Sequence, residues 1–302
     1  MKDSSLAKAF YHLPGLFEFY GLYKIFLELW QSHRTWFYPW CEIGSIYGSP
    51  SDCLWGGGRA ASGDASCDDV ISLMSKYKIS SRLTLSNSLL TTEHLTDKKC
   101  NALCKKFSNT PVKNGVIVHS DLLTEYLRRT YPGLYLVSST TKVLTDFKDF
   151  YAELTRKDFD FVVPDFRLNK AFDLLSSLSK EYKDKVEFLC NECCDFNCSS
   201  RKECYENVSK KNLGLDIKEH KCTSKSAEGG YRFSLAMKNP SFISVDDIKE
   251  KYLPMGFSNF KIEGRGLGSA MILEFLLYYM TKPDHQLEVR EAVYLDSMLD
   301  LF

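Results

Sequence analysis

The sequence predicts an α/β chain folded as a TIM-like βα barrel, closed or incomplete. Three observations lead there. Short apolar runs alternate with longer helical patterns in strand–helix steps of roughly 25 to 40 residues, and parallel strands need a crossover of that kind. The strand candidates are nearly continuous in apolar residues, as expected when both faces of a strand are covered. No GxGxxG or GxxxxGKS segment opens a helix, so the rival open nucleotide-binding sheet lacks its usual mark. The glycine run Gly56–Arg59 lacks the Lys-Ser/Thr ending of a phosphate loop.

Within the 302 residues no low-complexity linker or fixed-period repeat divides the chain. It reads as one barrel domain over 1–302 with a divergent, helical N-terminal part over about 1–70. In that part, LFEFYGLYKIFLELW (16–30) reads as an amphipathic helix. At about 100° per residue, Glu18, Gly21, Lys24, Glu28 and Gln31 share one polar face. Val70–Ile79 follows as helix and Ser81–Ser86 as strand. The stretch TDKKCNALCKKFSN reads as helix capped by Thr96. Strand GVIVHS (115–120) leads into helix DLLTEYLRRTYPG, which Pro132-Gly133 stop. Strand LYLVSST, helix VLTDFKDFYAELTRK, strand FDFVVPD, helix NKAFDLLSSLSKEYKDK and strand VEFLCNE complete the series. The C-terminal AVYLDSMLDLF reads as a short terminal helix or arm.

Lys plus Arg and Asp plus Glu each number 39, so the net charge is zero. That balance removes bulk attraction to nucleic acid or an anionic membrane and leaves local patches open. At 44% hydrophobic and 14% aromatic, the composition suits a globular chain with a sizeable core. The 16–30 stretch is too short and too charged to span a bilayer, so no membrane span is expected. The first residues lack the apolar run of a secretory leader, which gives an expected cytoplasmic, reducing location. Asn197 and Asn207 fit the glycosylation pattern by chance in that compartment.

Cysteines crowd the segment after the strand VEFLCNE. From Cys194 the spacing is C-x3-C-x5-C-x17-C, through Cys198 and Cys204 to Cys222. This is not the paired CxxC of a zinc ribbon. Dense thiols in a reducing compartment suit a four-iron four-sulfur cluster or a zinc ion, and packing without a metal stays open. Cys193 is the reserve ligand, because adjacent cysteines point in different directions. Cys41, Cys53, Cys67, Cys100 and Cys104 are scattered and read as packing.

The segment GFSNFKIEGRGLGSAMILEFLLYYM (256–280) resembles the ending of the collagenase-like peptidase U-thirty-two family, through Gly256, Phe260, Lys261, Ile262, Glu263, Gly264 and Arg265. The segments GVIVHSDLLTEYLRRTYPGLYLVSSTTKV, FDFVVPDFRLN and VEFLCNECC agree with it, and the resemblance covers roughly residues 80 to 281. It implies a modified TIM barrel, with relatives that carry a four-iron four-sulfur cluster and act in oxygen-independent hydroxylation of RNA bases or a quinone ring. It implies Cys194 as first ligand, Cys198 or Cys204 near the second, and Cys222 after Cys204. Ser244 stands where the family's last cysteine falls, so four ligands require both Cys198 and Cys204.

In a barrel the chemistry sits at the C-terminal strand ends. His119, Ser139, Thr140, Asp165, Arg167 and Glu192 fall there, with Glu263 and Arg265 on the KIEGR segment. The catalytic candidates are Glu263, Arg265, His119 and Asp165. Glu263 and Arg265 rank first, because they lie in the most specific motif and carry opposite charges; a structural ion pair is the competing reading. Expected partners are RNA or a small aromatic substrate, or a protein partner. An iron–sulfur hydroxylation-type enzyme leads, ahead of a non-enzymatic metal-stabilised barrel. A peptidase comes last: none of the six histidines forms HExxH, and GxSxG is absent.

Overall fold

Eight parallel strands wind around one axis in the order β6-β5-β4-β3-β2-β1-β8-β7. The structure is a computed structural model that describes residues 7–58, 63, 65–216, 222 and 230–298. The elements run β1 Ala9–Pro14, α1 Tyr20–Ser32, β2 Cys41–Gly48, α2 Cys67–Tyr77, β3 Ser80–Leu85, α3 Lys98–Ser108, β4 Gly115–Val118 and α4 Asp121–Thr130. They continue with β5 Tyr135–Ser138, α5 Phe147–Thr155, β6 Phe161–Val162, α6 Phe172–Ser176, α7 Lys180–Lys185, β7 Glu187–Leu189, α8 Arg201–Asn212, α9 Phe233–Ala236 and α10 Val245–Asp247. β8 Asn259–Lys261, α11 Ser269–Met280 and α12 Gln286–Met298 end the series. One parallel bridge, Val162 to Val186, spans the seam between β6 and β7. The fold is therefore a TIM-like barrel, nearly closed.

Local signals explain the helices. Ser66, Asp97, Ser120 and Asp146 each accept a backbone N–H in the first turn of α2, α3, α4 and α5. The cap of α3 is thus Asp97, one residue after the expected Thr96. The single helix expected over NKAFDLLSSLSKEYKDK is two. Ser179 accepts the N–H of Tyr182 and starts α7 afresh, which divides the run.

The main correction concerns residues 1–70. The part expected to be helical contains β1 and β2, which pair with each other and join β8 to β3. Their inward positions carry His12 and Ser45, so neither strand shows the apolar run that marks β4 or β5. The amphipathic helix is present as α1, and it exposes Gly21, Lys24, Glu28 and Gln31 as expected. Glu18 lies before it, and its side chain is fully buried.

Alternate strand residues divide the apolar core. Outward residues such as Leu83, Val116, Leu136 and Phe188 pack under the helices. Inward Tyr47, Ile117, Tyr135, Val137, Val163 and Leu189 fill the barrel. Gly115 leaves room for one of them: a Cβ there would lie 2.3 Å from the Tyr135 ring. Each such buried side chain contributes about 1.5–3 kcal/mol.

The lower barrel is ionic. Glu187 is fully buried between Arg82, whose guanidinium donates to Oε2, and Lys261, 3.4 Å from Oε1. Arg82 also donates to the Tyr135 hydroxyl at 2.9 Å. His12 lies 3.5 Å from Glu187. Its Nε2 faces the acceptor Oδ1 of Asn259 at 3.3 Å, so Nε2 carries the proton and Nδ1 accepts from Ser45. Burial, with Arg82 nearby, pushes His12 down to about 3. Burial alone would raise the Glu187 carboxyl, but Arg82, His12 and Lys261 together hold it well below the usual range. Among the described residues no helix is long and apolar enough to cross a membrane. Of the expected C-terminal arm, α12 reaches Met298, and 299–302 lie outside the described residues.

Candidate active site at the barrel mouth

A cavity of about 570 Å³ opens at the C-terminal ends of the strands. That is the face on which TIM-barrel chemistry is built, and the size suits a small molecule or one residue of a polymer. Lys261, Tyr47, Ile117 and Leu189 line its inner part. The Tyr47 ring lies under the Lys261 ammonium, 3.7 Å from Nζ, and its hydroxyl donates to the Ile262 carbonyl at 2.6 Å. Burial pushes Lys261 down to about 8 against the pull of Glu187.

One wall is made where the β7 and β8 ends meet. Asn191, directly after Cys190, is fully buried. Its Oδ1 accepts the Glu263 N–H at 2.7 Å and its Nδ2 donates to the Glu263 carbonyl at 3.2 Å. This clamp ties the cysteine-rich segment to KIEGR and sets Glu192 and Cys193 beside Glu263. Cys193 Sγ lies 3.6 Å from Glu263 Oε1 and 3.8 Å from Glu192 Oε1. The three potential donor atoms fall within 4.8 Å of one another, and all three residues line the cavity. Glu192 is held from behind: Oε1 accepts the Cys194 N–H at 2.9 Å, and the buried Arg201 guanidinium donates to Oε2.

The opposite wall comes from the β2 and β3 ends and α8. Gly57 approaches β3 so closely that a Cβ would lie 2.4 Å from the Ser86 carbonyl oxygen. Gly56, Gly57 and Gly58 all line the cavity. Asn212 of α8 donates to the Gly56 carbonyl at 2.7 Å, and Asn87 donates to the carbonyls of Leu54 and Ser209 at 3.2 Å. Thr84 Oγ1 and Ser86 Oγ, both nine-tenths buried or more, have no hydrogen-bond partner among the described residues, and both residues line the cavity.

The structure places the other candidates as follows. Arg265 lines the cavity but does not meet Glu263. It donates to Glu18 Oε1 at 2.8 Å and to Ser49 Oγ at 2.9 Å, which joins the end of β8 to the segment after β1. Asp165 caps a turn and pairs with Arg167 at 2.7 Å and Arg201 at 3.5 Å, so it reaches the site only through Arg201 and Glu192. Neither Asp165 nor His119 is among the lining residues. Thr141 gives its hydroxyl proton to Ser139, so it accepts from His119 Nδ1 at 2.9 Å. Burial, with Lys142 next in weight, pushes His119 down to about 4. Ser139, Thr140 and Glu192 line the cavity.

Cys194, Cys198 and Cys204 are half-buried, and Cys222 is exposed. Burial pushes Cys194 up to about 12. Among the described residues, the group of His, Cys, Asp and Glu donors that converges is Glu192, Cys193 and Glu263, so the reserve ligand Cys193 converges with two carboxylates and the four expected cysteines do not join it. The residues on either side of Cys222 lie outside the described ones. Cys53, assigned to packing, lines the cavity, with its sulfur 3.2 Å from that of Cys100.

The sequence pattern had no signal for Asn191, Thr84, Ser86 or Tyr47, because each becomes visible only when neighbouring strands are in register. Lys261 belongs to the KIEGR segment, and the inward alternation from Asn259 through Lys261 to Glu263 points all three toward the barrel.

No protein-family model matches the sequence, and no curated protein matches it. Among solved structures, the chain is similar to the U32 peptidase Mk0906, with a TM-score of 0.51 and 13% identity over 87% of this chain and 95% of that one. It is also similar to the spore cortex-lytic enzyme SleL of Bacillus cereus, with a TM-score of 0.41 and 9% identity over 92% and 76%. The second likeness carries no argument, and the first is one of fold. The resemblance carried by KIEGR and the cysteine segment is met at that level: the barrel is U32-like.

Proposed function

We propose that the protein is an enzyme whose reaction takes place at the barrel mouth, on a small polar substrate or on one residue of a polymer such as an RNA base. The observation that carries this reading is the convergence of Glu192, Cys193 and Glu263 on one wall of a cavity with the Lys261 ammonium at its base. Glu263 is placed to accept a proton, and Lys261 to stabilise negative charge developing on the substrate. Charge fixed before reaction is the largest common source of rate enhancement. Tyr47 and Tyr205 add aromatic surface to the lining of the same space.

The test is a panel of short RNA, quinone-like compounds and blocked dipeptides, with turnover by wild type compared with Glu263→Gln and Lys261→Met. The reading expects one class to be turned over, and both variants to lose that turnover while staying folded. Turnover that survives both substitutions sinks it.

A second reading rests on the U32-like fold together with the cysteine spacing. An iron–sulfur protein of the oxygen-independent hydroxylation type would hold a four-iron four-sulfur cluster on Cys194, Cys198, Cys204 and Cys222. A non-enzymatic barrel that binds a protein or RNA partner would need the metal for stability alone. Iron and sulfide analysis after anaerobic purification decides the cluster. A peptidase, suggested by the name of the U32 structure, is covered by the dipeptide arm of the panel.

A further inference from the structure

We infer that Glu192, Cys193 and Glu263 form a site for a single divalent cation of the zinc class, open to the cavity. The inference deepens the barrel-mouth reading and rests on it for any catalytic meaning.

Distances carry the argument. A tetrahedral zinc ion takes sulfur at about 2.3 Å and oxygen at about 2.0–2.2 Å, which separates neighbouring ligand atoms by about 3.3–3.8 Å. Cys193 Sγ already lies 3.6 Å from Glu263 Oε1 and 3.8 Å from Glu192 Oε1. A cation between them would be held by one atom from each of the three residues. The donor set, one soft sulfur and two hard oxygens, suits zinc and its neighbours better than magnesium or calcium.

The supports around the donors are those a metal site needs. Arg201 and the Cys194 N–H fix the Glu192 carboxylate. Asn191 fixes the Glu263 backbone on both sides. Such outer contacts orient ligands and raise affinity. Three protein ligands leave a fourth position, which is how catalytic zinc sites differ from closed structural ones. A separate observation points to an occupant of the same cavity. Thr84 Oγ1 and Ser86 Oγ are buried without partners among the described residues, and both residues line that cavity.

Binding replaces the thiol S–H bond with a metal–sulfur bond and releases one proton to solvent, so affinity rises with pH. No oxidant or reductant takes part.

The test titrates cobalt(II), then zinc(II), into the full-length, reduced, metal-stripped protein. Wild type is expected to bind one cobalt with a near-ultraviolet thiolate-to-cobalt band, which zinc displaces. Cys193→Ser should abolish that band, and Glu263→Gln should weaken binding at least about tenfold. A variant with Cys194, Cys198, Cys204 and Cys222 all changed to Ser should keep the band. If Cys193→Ser fails to fold, Glu263→Gln and the four-cysteine variant still decide. A band kept in Cys193→Ser, undiminished in Glu263→Gln, or lost in the folded four-cysteine variant overturns the site. The readout needs no substrate, so its failure is separate from failure of the turnover panel.

Discussion

The side-chain amide of Asn191 holds the backbone of Glu263 on both sides, accepting from its N–H at 2.7 Å and donating to its carbonyl at 3.2 Å. The two residues are 72 positions apart in sequence. Their contact is what sets the cysteine-rich segment and the KIEGR segment side by side. Asn191→Ala should remove both hydrogen bonds to the partly buried Glu263 backbone, each worth about 0.5–1.5 kcal/mol. Denaturant unfolding should show that loss, and turnover should fall with it. Unchanged stability would mean that the clamp does not hold the wall.

The pair formed by Arg265 and Glu18 predicts a different signature. The Glu18 side chain is fully buried and Arg265 nearly so. Removing one member of a buried pair costs about 3–5 kcal/mol, because it strands the other. Arg265→Ala should therefore lower the melting temperature by several degrees, and Arg265→Met with Glu18→Gln should recover part of it. Loss of ligand affinity without thermal change would return Arg265 to the binding groups.

Acid should weaken the fold through two buried histidines. His12 and His119 are pushed down to about 3 and about 4 from an ordinary value near 6.5. Both stay neutral in the folded chain while the unfolded chain takes up protons. Stability is thus full above about pH 6.5 and falls as pH drops toward 4. Glu187, held well below the usual carboxylate range when folded, loses its own contribution only as pH nears the unfolded carboxylate value of about 4.3, so the window from about pH 6.5 to about 5.5 reports the histidines. Denaturant midpoints at successive pH values should show the slope, and His119→Gln should reduce it. A flat profile, or a slope unchanged in the variant, would contradict the buried neutral state.

How much of this was legible in the sequence follows from what each residue faces. The runs GVIV and LYLV were plain because their outward residues lie under helices, while the inward ones pack against each other. β1 and β2 were not, because His12 and Ser45 point into an ionic lumen that the chain assembles from five strands. Glu18 read as a solvent-facing helix residue because its partner Arg265 is 247 positions away. The KIEGR motif located Glu263, and the cysteine density located its neighbourhood. Which thiol approaches the carboxylates depends on the Asn191 clamp, which the cysteine spacing does not show.

The most direct measurement of the central claim is turnover of the responsive panel compound by Glu263→Gln, with folding checked by thermal melt. A barrel-mouth enzyme predicts a loss of about 10²–10⁴-fold, as for removal of a positioned proton-transfer group, with the melting temperature near that of wild type. Undiminished turnover in the folded variant, or no turnover of any panel class by wild type, would contradict it.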